Sequence, residues 1–182
     1  MRAQDWSLDG RFIVSVSESP TTKMDLWLLP LFSDRKPVPY LQTAFNEAQG
    51  QVSPDGRWMA YASDESGAWE VFGQSFPIPG SKQRISTHGG AHPKWRRDGR
   101  ELFYLALDHT LMAFDVHPGR TLEIGSPKPL FRTHTRDEVV GETRDHYAVP
   151  ADGQRFLVDT ADEQGDRSGV TVLVNWLAAL KK

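Results

Sequence analysis

Two of the six histidines in this 182-residue chain stand at matching distances from a repeated dipeptide. His92 lies six residues before Asp98 of one Asp-Gly pair, and His146 lies six before Asp152 of another. Carboxylates are close by. Asp145 adjoins His146, and Glu47 lies two residues before Gln49, which holds the same place ahead of Asp55. His88, four residues before His92 across Gly89-Gly90, is a further candidate ligand. Two imidazoles and a carboxylate around one cavity suit a divalent ion, zinc above all, with one coordination position left open. Water on such an ion is acidified toward neutrality and attacks an ester or phosphoester, so this reading gives a metal-dependent hydrolase. The simpler reading, which leads, is that the same two histidines are polar side chains that line a cavity and bond to water.

Other chemistry is sparse. The chain contains no G-x-S-x-G, P-loop, G-x-G-x-x-G or H-E-x-x-H pattern. Ser168 in Gly165-Asp166-Arg167-Ser168-Gly169 reads as a turn residue rather than a nucleophile, and His109 and His117 read as solvated turn and loop residues. Cysteine is absent, which removes disulfides, thiolate metal sites and cysteine nucleophiles. Lys plus Arg number 21 against 24 Asp plus Glu, so no basic excess exists to hold nucleic acid or an anionic membrane. The first residues lack the apolar stretch of a signal peptide, and no apolar run is long enough to span a bilayer. The expectation is a soluble chain.

The elements that would position the histidines form a repeat. Asp9-Gly10, Asp55-Gly56, Asp98-Gly99 and Asp152-Gly153 are spaced by 46, 43 and 54 residues, bracketing the roughly 40 to 50 residue period of propeller blades. Each pair has strand-like sequence on both sides, as expected when Asp-Gly supplies the positive φ angles of a two-residue hairpin turn. Three residues before each Asp stand Trp6, Val52, Trp95 and Val149, expected to be buried between blades. After each Gly comes an apolar run, and a third follows at Leu26 to Leu29, Trp69 to Phe72, Leu111 to Phe114 and Val170 to Val174. Proline-marked outer strands are expected at Val38 to Leu41, Gln83 to Ser86 and Pro129 to Arg132, with none clear in the last unit. The prediction is an all-β propeller of four visible four-stranded blades in a single domain, with units at about 1–44, 45–88, 89–140 and 141–182. Innermost strands line the channel, which puts His92 and His146 there. Arg132 to Arg144 reads as a surface insertion and Trp176 to Lys182 as a helical tail.

Ser53-Pro54-Asp55-Gly56-Arg57-Trp58-Met59-Ala60-Tyr61-Ala62-Ser63 closely resembles the core of the TolB-like, WD40-like (PD40) propeller repeat. The segments around Asp98-Gly99 and Asp152-Gly153 resemble the last blades of bacterial TolB-like proteins and receptor-type serine/threonine kinases. The resemblance implies an interaction platform that binds a protein or small-molecule ligand, within a bacterial, periplasmic or extracytoplasmic parent. It carries no catalytic motif. Such propellers usually have six or more blades, so the four here resemble the C-terminal part of a larger ring. Four blades in that geometry would leave apolar end faces, and the expectation is a homodimer that closes an eight-bladed ring, with a closed four-bladed ring as the alternative.

Overall fold

The computed structural model describes the whole chain except residues 118, 120, 136–138, 141–144, 161–168 and 175–182. Ser168 and the proposed helical tail lie outside the described residues. Four antiparallel sheets follow one another along the chain. The first blade comprises β1 (Arg2–Trp6), β2 (Phe12–Ser19), β3 (Lys23–Pro30) and β4 (Val38–Leu41). The second comprises β5 (Glu47–Val52), β6 (Trp58–Ser63), β7 (Glu70–Ser75) and β8 (Lys82–Arg84). The third has β9 (Ala91–Trp95), β10 (Glu101–Leu105) and β11 (Thr110–His117), whose outer edge pairs with both β12 (Glu123–Ile124) and β13 (Lys128–Arg132). The fourth has β14 (Tyr147–Ala148), β15 (Arg155–Thr160) and β16 (Gly169–Val174), with no outer strand among the described residues.

The Asp-Gly turns work differently from the hairpin expected. Only the glycine takes positive φ, at 74°, 69°, 71° and 64° for Gly10, Gly56, Gly99 and Gly153. Each glycine N–H closes a four-residue turn onto the carbonyl three residues back: Ser7, Ser53, Arg96 and Pro150. The aspartate acts through its side chain. Oδ1 of Asp9, Asp55, Asp98 and Asp152 accepts the backbone N–H two residues on, at 3.0 to 3.2 Å, the local bonding that makes Asp a turn residue. In the first two blades the hydroxyl of Ser7 or Ser53 also donates to that oxygen while accepting the N–H of Phe12 or Trp58. The turn thereby fixes where the second strand begins.

That start decides which side chains face which neighbour, because alternate strand residues point to opposite faces. Counting from each Asp, positions +3, +5 and +7 face the following blade, and +4 and +6 face the preceding one. Phe12 and Val14 meet Met59, Tyr61 and Phe72. Trp58 and Ala60 meet Leu102, Tyr104 and Phe114. Phe103 and Leu105 meet Phe156 and Val158. All of these are 8% exposed or less. The order repeats blade by blade. Among the described residues the strands of the first and fourth blades share no extensive contact, and the four sheets form no closed ring.

Candidate functional site

The inner strands β1, β5, β9 and β14 follow one another around the concave side of the array. Gln49 and His92 occupy the same place in consecutive blades and share an unusual backbone, with φ of 59° and 55°. Positive φ is strained for such residues and needs compensation. It turns the amide N–H of each toward the preceding blade. Gln49 N–H donates to Gln4 Oε1 at 2.9 Å, and His92 N–H donates to Gln49 Oε1 at 2.7 Å. The chain of side chains thus stitches inner strand to inner strand.

The tautomer of His92 follows. A backbone N–H only donates, so the Gln49 oxygen is fixed as the atom facing it. The Gln49 amide nitrogen, 3.1 Å from His92 Nε2, must then donate to the ring. His92 Nε2 is the acceptor, the proton sits on Nδ1, and the ring hydrogen-bonds to the backbone of Val139. Burial and, next, the neighbouring His146 push the His92 pKa down to about 3, so the imidazole stays neutral. His146 lies against it with ring centroids 4.5 Å apart and planes at 82°. Both rings are 1% exposed. The structure therefore joins the two histidines that the register pairs, both almost fully buried, with His92 at the floor of a small pocket lined also by Gln4, Gln49, Lys94 and Asp145.

Of the other candidates only Asp145 shares that pocket. Asp145 pairs with Lys94 at 2.7 Å. Glu47, 1% exposed, accepts the Thr43 hydroxyl at Oε1, and Oε2 has no hydrogen-bond partner among the described residues. Burial pushes its pKa up to about 7. His88 is exposed, with Nδ1 3.0 Å from the Thr87 hydroxyl. Among the described residues no three His, Asp or Glu side chains gather as a metal site needs.

Above the buried histidines the concave side opens into a funnel of about 240 Å³, which the register finds only in part. Its wall carries the residues four and three before each Asp: Asp5 with Trp6, Gln51 with Val52, Lys94 with Trp95, and Val149. Leu8, Pro54 and Arg97, each one residue before the Asp, form the rim. Val52 is buried and Trp95 half-buried, its indole N–H reaching back to the Gln51 carbonyl of the preceding blade at 3.0 Å. Trp6 departs from the expectation of burial. It is 63% exposed. Asp5 accepts the Val52 N–H at 2.8 Å, and burial raises its pKa.

An array of antiparallel blades with repeating turns and interlocking faces defines a propeller segment. Structure comparison places it among TolB-like propellers. TolB of Acinetobacter baumannii superposes with a TM-score of 0.70 over 93% of this chain and 39% of its own, at 15% identity. A putative TolB of Agrobacterium tumefaciens gives 0.69 over 95% of this chain and 60% of its own, at 16% identity. A periplasmic gluconolactonase of Pseudomonas aeruginosa gives 0.54 over 93% and 55%, at 14% identity. The chain thus spans less than two thirds of the length of each. No family model matches the chain, and no curated protein matches it in sequence. The fold is that of a TolB-like β-propeller segment. Among the described residues no helix is long and apolar enough to cross a membrane.

Proposed function

We propose that the chain is a binding module, a propeller segment that presents its concave funnel to a ligand and does no covalent chemistry. The observation that carries this reading is the bonding of His92. Metal ligation needs a ring-nitrogen lone pair. At His92 the Nε2 lone pair accepts Gln49, and Nδ1 carries the proton. His92 is thus engaged between blades, whereas Trp6, Leu8 and Arg97 of the funnel are exposed. TolB-like neighbours support a propeller platform and, through a lactonase among them, show that the fold also carries enzymes. Elemental analysis of purified protein distinguishes the two. A binding module holds no stoichiometric transition metal. One zinc per chain, lost together with esterase activity on His92→Ala, would overturn the proposal in favour of the hydrolase.

The assembly that fits this module is a dimer. The rear face of the first blade carries half-buried Ile13, Trp27 and Leu29, residues of the kind that internal faces bury. The front face of the fourth blade presents Arg155, Leu157 and Asp159, with Leu157 43% exposed. Head-to-tail docking of fourth blade on first blade, repeated about a two-fold axis, closes eight blades and covers both faces. Light scattering is expected to give twice the 20.5 kDa chain mass, and Leu157→Glu is expected to restore the monomer. A wild-type monomer at micromolar concentration would sink this arrangement.

A further inference from the structure

The funnel carries its own statement about ligand chemistry. Its walls set the apolar Trp6, Trp95, Val52 and Val149 beside the polar Asp5, Gln51 and Lys94, with Leu8 and Pro54 at the rim. Three charged side chains enter it, and two of them are already matched. Lys94 is ion-paired to Asp145 at 2.7 Å, and the Asp5 carboxylate accepts the Val52 N–H at 2.8 Å. Arg97 is different. Its neighbour Arg96 is fully engaged, with Asp98 at 2.7 and 2.8 Å and Glu101 at 2.6 Å. Arg97 is exposed and makes no ion pair or hydrogen bond through its guanidinium among the described residues. A cation needs no partner at an open surface, but this one stands at the mouth of a cavity walled in part by two indoles.

Resting on the reading of the chain as a binding module, we infer that the funnel is a site for a small organic carboxylate with one flat apolar ring. The ring sits among Trp6, Trp95 and Val52, and the carboxylate meets the Arg97 guanidinium. The reasons are size, surface and charge. At about 240 Å³ the cavity falls below the 300–1,000 Å³ usual for drug-sized ligands, so it suits a single ring better than a larger scaffold. Indole faces offer offset or edge-on contact to an aromatic ring. Guanidinium matches a carboxylate with two parallel N–H donors. Asp5 and the Lys94–Asp145 pair carry one more negative than positive charge between them, so an anion is drawn to the Arg97 side of the mouth and away from Asp5. This fixes orientation: the ligand lies ring inward and acid outward.

The test uses the full chain and phenylacetate as probe, with phenylacetamide and sulfate as controls, followed by isothermal titration calorimetry. Phenylacetate is expected to saturate one site per chain, with the amide and sulfate each bound about fivefold more weakly or worse. Arg97→Gln, a substitution on an exposed side chain, is expected to erase the preference for acid over amide without moving the unfolding midpoint. Trp6→Ala is expected to weaken acid and amide alike. Equal affinity for phenylacetate and phenylacetamide, or unchanged phenylacetate affinity in Arg97→Gln, would overturn the carboxylate assignment. Sulfate binding as tightly as phenylacetate would overturn the ring. Neither result depends on whether zinc is found in the purified protein, so failure here stays separable from failure of the binding-module reading.

Discussion

Phe156→Ala is expected to cost about 3–5 kcal/mol of unfolding free energy, while the same change at the next residue, Leu157→Ala, is expected to cost less than about 1 kcal/mol. Phe156 is 0% exposed and meets Phe103 edge-on at 5.1 Å and Phe131 at 5.7 Å. It faces back into the cluster that docks the fourth blade on the third. Truncating it removes the ring's transfer energy and leaves a cavity that close-packed neighbours fill only in part. Leu157 faces forward and is 43% exposed, so its truncation leaves no cavity in the monomer. Urea unfolding of both variants under conditions that keep the protein monomeric reads the difference directly. Equal losses would mean that the alternation of faces along β15 had been misassigned.

That pair of neighbours also shows what the sequence could and could not reveal. The run Phe156 to Val158 is legible as a strand, because apolar residues follow an Asp-Gly turn at the same offset in every unit. Its inward and outward faces are not legible, since Phe, Leu and Val are all apolar, yet Phe156 and Val158 are buried and Leu157 is 43% exposed. Trp6 and Trp95 make the same point. They share a register position, yet one reaches a preceding blade and the other stands exposed. The Asp-Gly repeat predicts the turns but misstates their chemistry, for the Asp works through its carboxylate and only the Gly needs positive φ. Register likewise brings His92 and His146 together without showing how they bond. The positive φ at Gln49 and His92 sinks the row of side chains between blades and hands His92 Nε2 to Gln49, a consequence of a local bulge that no residue pattern announces. The funnel is half legible: Trp6, Val52, Trp95 and Val149 are marked by the repeat, whereas Arg97 is singled out only by what Arg96 is already doing.

Two buried groups with opposite shifts are expected to give the protein a stability profile that falls at both ends of the pH range, and single substitutions should remove one limb each. Glu47 is raised to about 7 from an ordinary 4.5, first by burial, and further by the nearby negative charges of Asp25 and Glu65, against the hydrogen bonds from Thr43. Between those two values the folded state holds more protons than the unfolded one. Its contribution is therefore fully present below 4.5 and is lost as pH rises through 7, a change of about 3 kcal/mol. His92 runs the other way. With its pKa lowered to about 3 from 6.5, first by burial and then by His146, the unfolded state holds more protons below 6.5, so stability is present above that value and lost as pH falls toward 3. Where the windows overlap, the two slopes oppose each other and the profile flattens. Glu47→Gln keeps the side chain's shape and an acceptor for Thr43 while removing the charge. It is expected to abolish the alkaline decline and to stabilise the protein above pH 7 relative to wild type. His92→Gln is expected to lose packing against His146 at every pH, so its readout is slope and not absolute stability: the acid limb should shrink, and the Glu47 decline, no longer opposed, should reach down toward pH 4.5. Urea midpoints measured from pH 4 to pH 9 for the three proteins make the comparison. An alkaline decline that survives unchanged in Glu47→Gln would show that Glu47 is ionised in the folded state at no cost, and that its unpartnered oxygen reaches water.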